Sequence, residues 1–188
     1  SLLGTPRNTV TLNVDGLAPG AVVMNSELIG NTLGGISISG EEFTTNLPRS
    51  AIPFVRLVNN TILGGTVTGT ADAPVYAAGG QGIVVSNNAA ATLLNNVIAN
   101  SEFAINVDAS SASTTIAGVV YQRTVVGGTV FYRNGSNTAG SATVGQFPLN
   151  VAAGANLFVD PTTGNLYPAA GAPLIDSGID SLQDRTSL

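Results

Sequence analysis

Short runs in which aliphatic and polar positions alternate recur along this chain, each broken by a turn of Asn, Gly or Ser. Val22-Val23-Met24-Asn25-Ser26-Glu27-Leu28-Ile29-Gly30-Asn31 aligns with Val55-Arg56-Leu57-Val58-Asn59-Asn60-Thr61-Ile62-Leu63-Gly64 at a shift of 33. A further shift of 36 reaches Ala91 to Asn100, and one of 22 reaches Ser113 to Gln122. Each segment reads as strand, tight turn, strand. Gly35-Ile36-Ser37-Ile38-Ser39, Gly82-Ile83-Val84-Val85-Ser86 and Ala104-Ile105-Asn106-Val107-Asp108 form a second series, its last two members again 22 apart.

These spacings predict an all-β chain built from coils of about 22 residues with three short strands each, within the period range of stacked repeats. The spacings of 33 and 36 then exceed one coil by about 11 and 14, which places insertions near positions 39–53 and 65–80. Period-two strands bury one face, so Ile36, Ile83 and Ile105, with Ile38, Val85 and Val107, are expected to stack in inward columns. A coil cannot bury its own core face alone and must stack on neighbours. The aligned turn residues Glu27, Asn60, Asn96 and Gly118 define a turn ladder: Asn and Gly tolerate a left-handed backbone, and stacked Asn amides bond from coil to coil. The ladder is assigned to Asn60, Asn96 and Gly118, with Glu27 as its exception. An antiparallel sandwich also uses short alternating strands, but its strands do not normally align turn residue for turn residue.

The expected organisation is one domain over residues 1–188. Residues 1–20 supply a partial coil containing the alternating Thr9 to Val14, residues 21–135 the regular coils, and residues 136–188 an irregular tail. In the tail, Leu157-Phe158-Val159-Asp160-Pro161, Gly164-Asn165-Leu166-Tyr167-Pro168 and Gly171-Ala172-Pro173-Leu174-Ile175-Asp176-Ser177-Gly178 resemble the ending of right-handed parallel β-helix repeat domains of large bacterial surface proteins. The broader relative is the pectate-lyase-like superfamily, and the likeness is greatest to giant exported proteins of planctomycetes. That resemblance implies a right-handed parallel β-helix, a β-solenoid, at an extracellular or cell-surface location.

Composition narrows the chemistry. Of the 188 residues 44% are hydrophobic, enough for a continuous core, while only 9% are charged. The six basic residues are all Arg, and His, Cys, Lys and Trp are absent, which removes Ser-His-Asp and Cys-His couples, zinc-finger sites, disulfides and Schiff-base lysines. A net charge of −5 without a basic cluster argues against nucleic acid. No run of eighteen apolar residues is present, so no membrane insertion is expected; the first residues lack the order of a signal peptide and Gln183 to Leu188 carry no terminal cap or anchor, so a longer parent chain on both sides is expected.

Enzymes of the resembled superfamily use acid clusters with calcium and a basic residue, or paired carboxylates. Such sites need several acids on one outward face. The outward column aligned here as Val23, Arg56, Thr92 and Thr114 has Arg56 as its one charged group, and the column Ser37, Val84 and Asn106 has none. No catalytic residue is assigned. Calcium candidates are Glu41, Glu42 and Asp72 on the insertions and Asp160 in the tail, where Asp160, Asp176 and Asp180 also suit turns as backbone acceptors. Asn59-Asn60-Thr61 and Asn134-Gly135-Ser136 match the glycosylation sequon; Asn59 falls in the repeat turn and Asn134 is open to modification. The function expected is a non-catalytic structural or adhesive segment that stacks on the rest of its parent chain or on neighbouring copies. The alternative is a carbohydrate-binding or polysaccharide-degrading lyase or hydrolase domain that acts through its insertions.

Overall fold

A computed structural model describes residues 20–40, 53–116 and 118–179. The chain is all-β, with most strands parallel in stacked sheets. Its first passage lays down β1 (Val22–Met24), β2 (Glu27–Asn31) and β3 (Gly34–Ser39); its second β4 (Phe54–Val58), β5 (Thr61–Gly64), a hairpin of β6 (Thr66–Thr70) and β7 (Ala73–Ala77), and β8 (Gly79–Ser86). The third passage gives β9 (Ala90–Leu94), β10 (Val97–Ala99) and β11 (Ser101–Val107), followed by the short α1 (Ala109–Ala112) and a hairpin of β12 (Ser113–Ile116) and β13 (Val119–Gln122). The fourth gives β14 (Thr124–Gly127), β15 (Val130–Tyr132) and β16 (Ser136–Gly140). β17 (Leu149–Val151), β18 (Phe158–Asp160) and β19 (Asn165–Pro168) follow. Each passage thus adds one strand to each of three parallel sheets, ordered β1-β4-β9-β14, β2-β5-β10-β15-β17 and β3-β8-β11-β16.

The aliphatic columns occupy the interior as their spacing dictates. Ile36 pairs with Ile83 and Ile83 with Ile105, and Ile38, Val85 and Val107 stack beside them. Leu57 and Leu93 of the first sheet and Ile62, Ile98 and Phe131 of the second complete this core. From β8 to β11 the passage is uninterrupted: Gln81 pairs with Phe103, and Asn88 N donates to the Ser110 hydroxyl, both at the expected spacing of 22. The spacing of 36 between Asn60 and Asn96 contains the β6-β7 hairpin, within the expected insertion at 65–80. The expected insertion near 39–53 lies mostly outside the described residues, as do Thr9 to Val14.

Two alignments are corrected. Ser113 to Gln122 does not form a fourth passage: β12 and β13 pair antiparallel, Ser113 opposite Gln122, with Gly118 near the reversal at φ +81. An alternating run satisfies a hairpin as well as a parallel strand, and with α1 in between β12 happens to begin 22 residues after Ala91, one coil length on. The fourth passage is instead β14, with Thr124 against Ala91. In the first passage Val22 pairs with Arg56 and Glu27 with Thr61, a shift of 34 rather than 33. Glu27 therefore opens a strand, and Ser26 holds the turn.

With both corrections the turn becomes regular. Asn25, Asn59, Asn95 and Gly128 hold the left-handed position, with φ of 51°, 53°, 53° and 60°. The next residues are Ser26, Asn60, Asn96 and Thr129, so Thr129 takes the place assigned to Gly118. Asn60 and Asn96 are buried. The Asn60 Oδ1 accepts from Ser26 N at 3.1 Å, and the Asn96 Oδ1 accepts from Asn60 N at 3.1 Å and from Asn60 Nδ2 at 3.0 Å. Each amide also donates to the preceding passage, Asn60 to Val23 O and Asn96 to Leu57 O, both at 2.9 Å. Bends of this kind strand backbone polar groups away from water, and the amides satisfy them.

Candidate functional site

The outward face of the second sheet is covered rather than bare. Leu63, Ala99 and Tyr132 form a second apolar cluster with Val67 and Tyr76 of the β6-β7 hairpin and Leu157, Phe158 and Leu166 of the tail. One side of the insertion and part of the tail thus close over this sheet, while Val75 on the hairpin stays exposed. The tail is also tied at a turn: Asn95 Nδ2 donates to Ile179 O at 2.8 Å, and Ile179 N donates back to Asn95 Oδ1 at 2.9 Å.

At the boundary between this cluster and solvent, the hairpin, the fourth passage and the tail bring together Tyr76, Tyr132, Arg133 and Phe158. The Tyr132 ring lies edge-on to Tyr76 at 5.9 Å and to Phe158 at 6.3 Å. The Tyr132 hydroxyl donates to Ala155 O at 2.8 Å and accepts from Arg133 Nε at 2.8 Å. The Arg133 guanidinium lies 4.4 Å from the Tyr76 ring centre and 5.3 Å from that of Tyr132. Burial, with the adjoining Tyr132 hydroxyl, holds the Tyr76 phenol well above its ordinary range, so it stays neutral. The arrangement fixes an exposed planar cation against two aromatic rings.

The residues singled out from sequence are dispersed by comparison. Asp72 is exposed at the reversal of the β6-β7 hairpin. Asp160 accepts from Thr162 N at 3.1 Å and from its hydroxyl at 2.6 Å in the β18-β19 hairpin; these bonds, the Thr162 side chain first, hold its carboxyl below the usual range. Asp176 sits at φ 57° in a turn of the tail. Glu41, Glu42 and Asp180 lie outside the described residues. Among the described residues no three of Asp, Glu, His and Cys gather as a metal site would require. Arg56 stands in register with Val22 and Thr92, its guanidinium 5.5 Å from the Phe54 ring centre. Thr114, aligned with Arg56 by sequence, is in the β12-β13 hairpin. The Asn134 amide is occupied: Oδ1 accepts from Ser101 N at 3.0 Å and Nδ2 donates to Ile98 O at 2.9 Å. Asn134 is thus a second ladder residue rather than an open sequon.

A further polar cluster is structural in kind. Asp108 caps α1 by accepting from Ser111 N at 2.7 Å and also accepts from Asn87 N at 2.7 Å, while Arg123 donates to Asn88 Oδ1 and Ser110 O. Near it, a cavity of about 20 Å³ between Val107, Ala112, Thr124 and Val126 has room for one water.

The Arg133 cluster escapes a reading of the sequence because Arg133-Asn134-Gly135 has loop composition. The available signal is positional: with Val130 to Tyr132 aligned on Val97 to Ala99, Arg133 falls on Asn100, a left-handed turn residue. Among the described residues no helix is long and apolar enough to cross a membrane. Searches of protein-family models, curated proteins and solved structures found no match to this chain.

Proposed function

We propose that the chain is a segment of a right-handed parallel β-helix and serves as a stiff structural or adhesive module of a larger exported bacterial surface protein. The reading rests on one observation: β1, β2 and β3 of a single passage form one edge of all three parallel sheets among the described residues. Inward-facing Val23, Leu28 and Ile36 of that passage are only half-buried, whereas Leu93, Ile98 and Ile105 in the same columns of the third passage are fully covered. An edge whose strands have no further partner among the described residues, beside half-covered apolar side chains, favours continuation of the stack, by the rest of the parent chain or by a neighbouring copy.

The test is electron microscopy of the native particle containing this segment. Strands at the ~4.8 Å spacing of a parallel stack, continuing past the first passage, are expected. A solitary stack whose calcium-dependent turnover of a polysaccharide is abolished by changing Glu41, Glu42, Asp72 or Arg56 overturns the reading. A second reading, carbohydrate contact through the inserted β6-β7 hairpin, is favoured by the exposed Arg133 held against Tyr76.

A further inference from the structure

We infer that Asn59 is the acceptor for an N-linked glycan, attached through its side-chain amide. The inference goes beyond the structural reading above and rests on it only for export, since such transfer belongs to secreted chains. Two sequons occur in the chain, Asn59-Asn60-Thr61 and Asn134-Gly135-Ser136, and the fold separates them. Both ends of the Asn134 amide are bonded to backbone groups of the preceding passage. The Asn59 amide is exposed and makes no hydrogen bond to the described residues.

The backbone explains why that amide is idle. Asn59 belongs to the left-handed column Asn25, Asn59, Asn95 and Gly128. Gly128 meets the requirement with no side chain at all, so the turn needs the conformation and not the amide. Bonding from passage to passage falls to the next residue, Asn60. In the same column the Asn95 amide is taken by Ile179 of the tail. Asn59 therefore carries a polar group that the fold does not use, at the bend between β4 and β5. The other half of the sequon is equally uncommitted. Thr61 opens β5 in a column with Glu27, Val97 and Val130, so the strand does not need a hydroxyl there. That hydroxyl makes no hydrogen bond to the described residues, and Thr61 is only half-buried.

Neighbouring passages lie ~4.8 Å apart, too close for a sugar between them, so a glycan must project outward, as an exposed bend allows. It would lie beside Met24, which pairs with Val58 and is exposed, and would cover apolar surface there. The donor class is an oligosaccharide linked to a lipid through pyrophosphate. Asn59 Nδ2 forms a bond to C1 of the first sugar as the bond from C1 to the pyrophosphate oxygen breaks. The lipid pyrophosphate leaves with that electron pair, and a base of the transferase takes one Nδ2 proton.

Incubation of the purified, folded chain with an oligosaccharyl transferase and this donor, read by intact mass and peptide mapping, tests the assignment. A single glycan at Asn59 is expected, with Asn134 modified at least about tenfold less because its amide must first break both its bonds. Asn59→Gly, which suits the left-handed turn, and Thr61→Val, which suits the strand, should each abolish the modification and keep the wild-type Tm. An unmodified Asn59 in the folded chain overturns the assignment, as does equal modification of Asn59 and Asn134. A peptide of residues 130–139 should accept the glycan that folded Asn134 refuses; refusal by both traces the choice to local sequence and sinks the argument from the fold. A glycosylated chain whose Tm falls by more than about 4 °C shows that the bend has no room for the sugar, which also overturns it. None of these outcomes depends on continuation of the stack, which microscopy of the native particle decides separately.

Discussion

Replacing Asn96 by Ala tests whether the amide ladder holds the passages together. Asn96 is fully buried and makes three bonds across the stack: its Oδ1 accepts from Asn60 N and Nδ2, and its Nδ2 donates to Leu57 O. Truncation leaves the buried Asn60 N–H without its acceptor, a cost of about 1–3 kcal/mol, and removes two further bonds of ~1 kcal/mol each. The expected loss is about 3–5 kcal/mol, a large part of the ~5–15 kcal/mol available to a domain. With a urea m-value of about 2 kcal/mol/M, the unfolding midpoint falls by ~1.5–2.5 M. Thr129→Val is the control. Thr129 occupies the same position in the fourth passage, but its hydroxyl reaches only Gly127 O on its own passage, at 3.4 Å. That variant should cost at most about 1 kcal/mol. If both variants lie within ~0.5 kcal/mol of wild type, the ladder is not a source of stability and the reasoning fails.

Leu93→Ala, which opens a cavity in the fully packed interior, should cost about 2–5 kcal/mol in the same assay, whereas Val120→Ala on the exposed β12-β13 hairpin should stay within ~0.5 kcal/mol. Burial alone would raise the Asp108 carboxyl, but the bonds from Asn87, Ser110 and Ser111 outweigh it and hold the group below its ordinary range. Its contribution is therefore present above an unfolded-state pKa of about 3.9 and is lost as pH falls through the lower folded value, so Asp108→Asn should flatten the acid side of a stability-against-pH curve. A slope unchanged below pH ~4 would contradict that account. Because both ends of the Asn134 amide are engaged, exposing the folded chain to an oligosaccharyl transferase should leave Asn134 unmodified in a mass spectrum.

What the chain reveals about itself depends on how local the determinant is. The Ile36, Ile83 and Ile105 column is legible because aliphatics at every second position leave one inward register. The first passage is ambiguous because Val22 and Val23 are interchangeable in a hydrophobic pattern; what separates them is that Ser26, not Glu27, presents its N–H to Asn60. Hairpin strands alternate as stacked strands do, so β12 and β13 imitate a passage, and pairing between Thr115 and Val120 decides otherwise. β16 reads as tail since Ser-Asn-Thr-Ala-Gly carries no large aliphatics, although Thr138 falls in register with Ile105. The Arg133 cluster is the least local: Tyr76, Arg133 and Phe158 come from an insertion, a turn and the tail, and only their packing on one sheet unites them.

The ladder also has a direction, and this bears on what extends the stack. Both Asn60 and Asn96 reach back toward the preceding passage, accepting its N–H and donating to its carbonyl. At the two ends of the column the amide is replaced by a hydroxyl that turns onto its own strand, Ser26 to Met24 O and Thr129 to Gly127 O. Beyond Thr129 the chain itself continues this sheet: β17 pairs with β15, and Leu149 N donates to Thr129 O at 3.0 Å, so backbone pairing rather than an amide joins that strand. The amide ladder is therefore a device of the interior passages, and backbone pairing with apolar burial is what joins a strand beyond it.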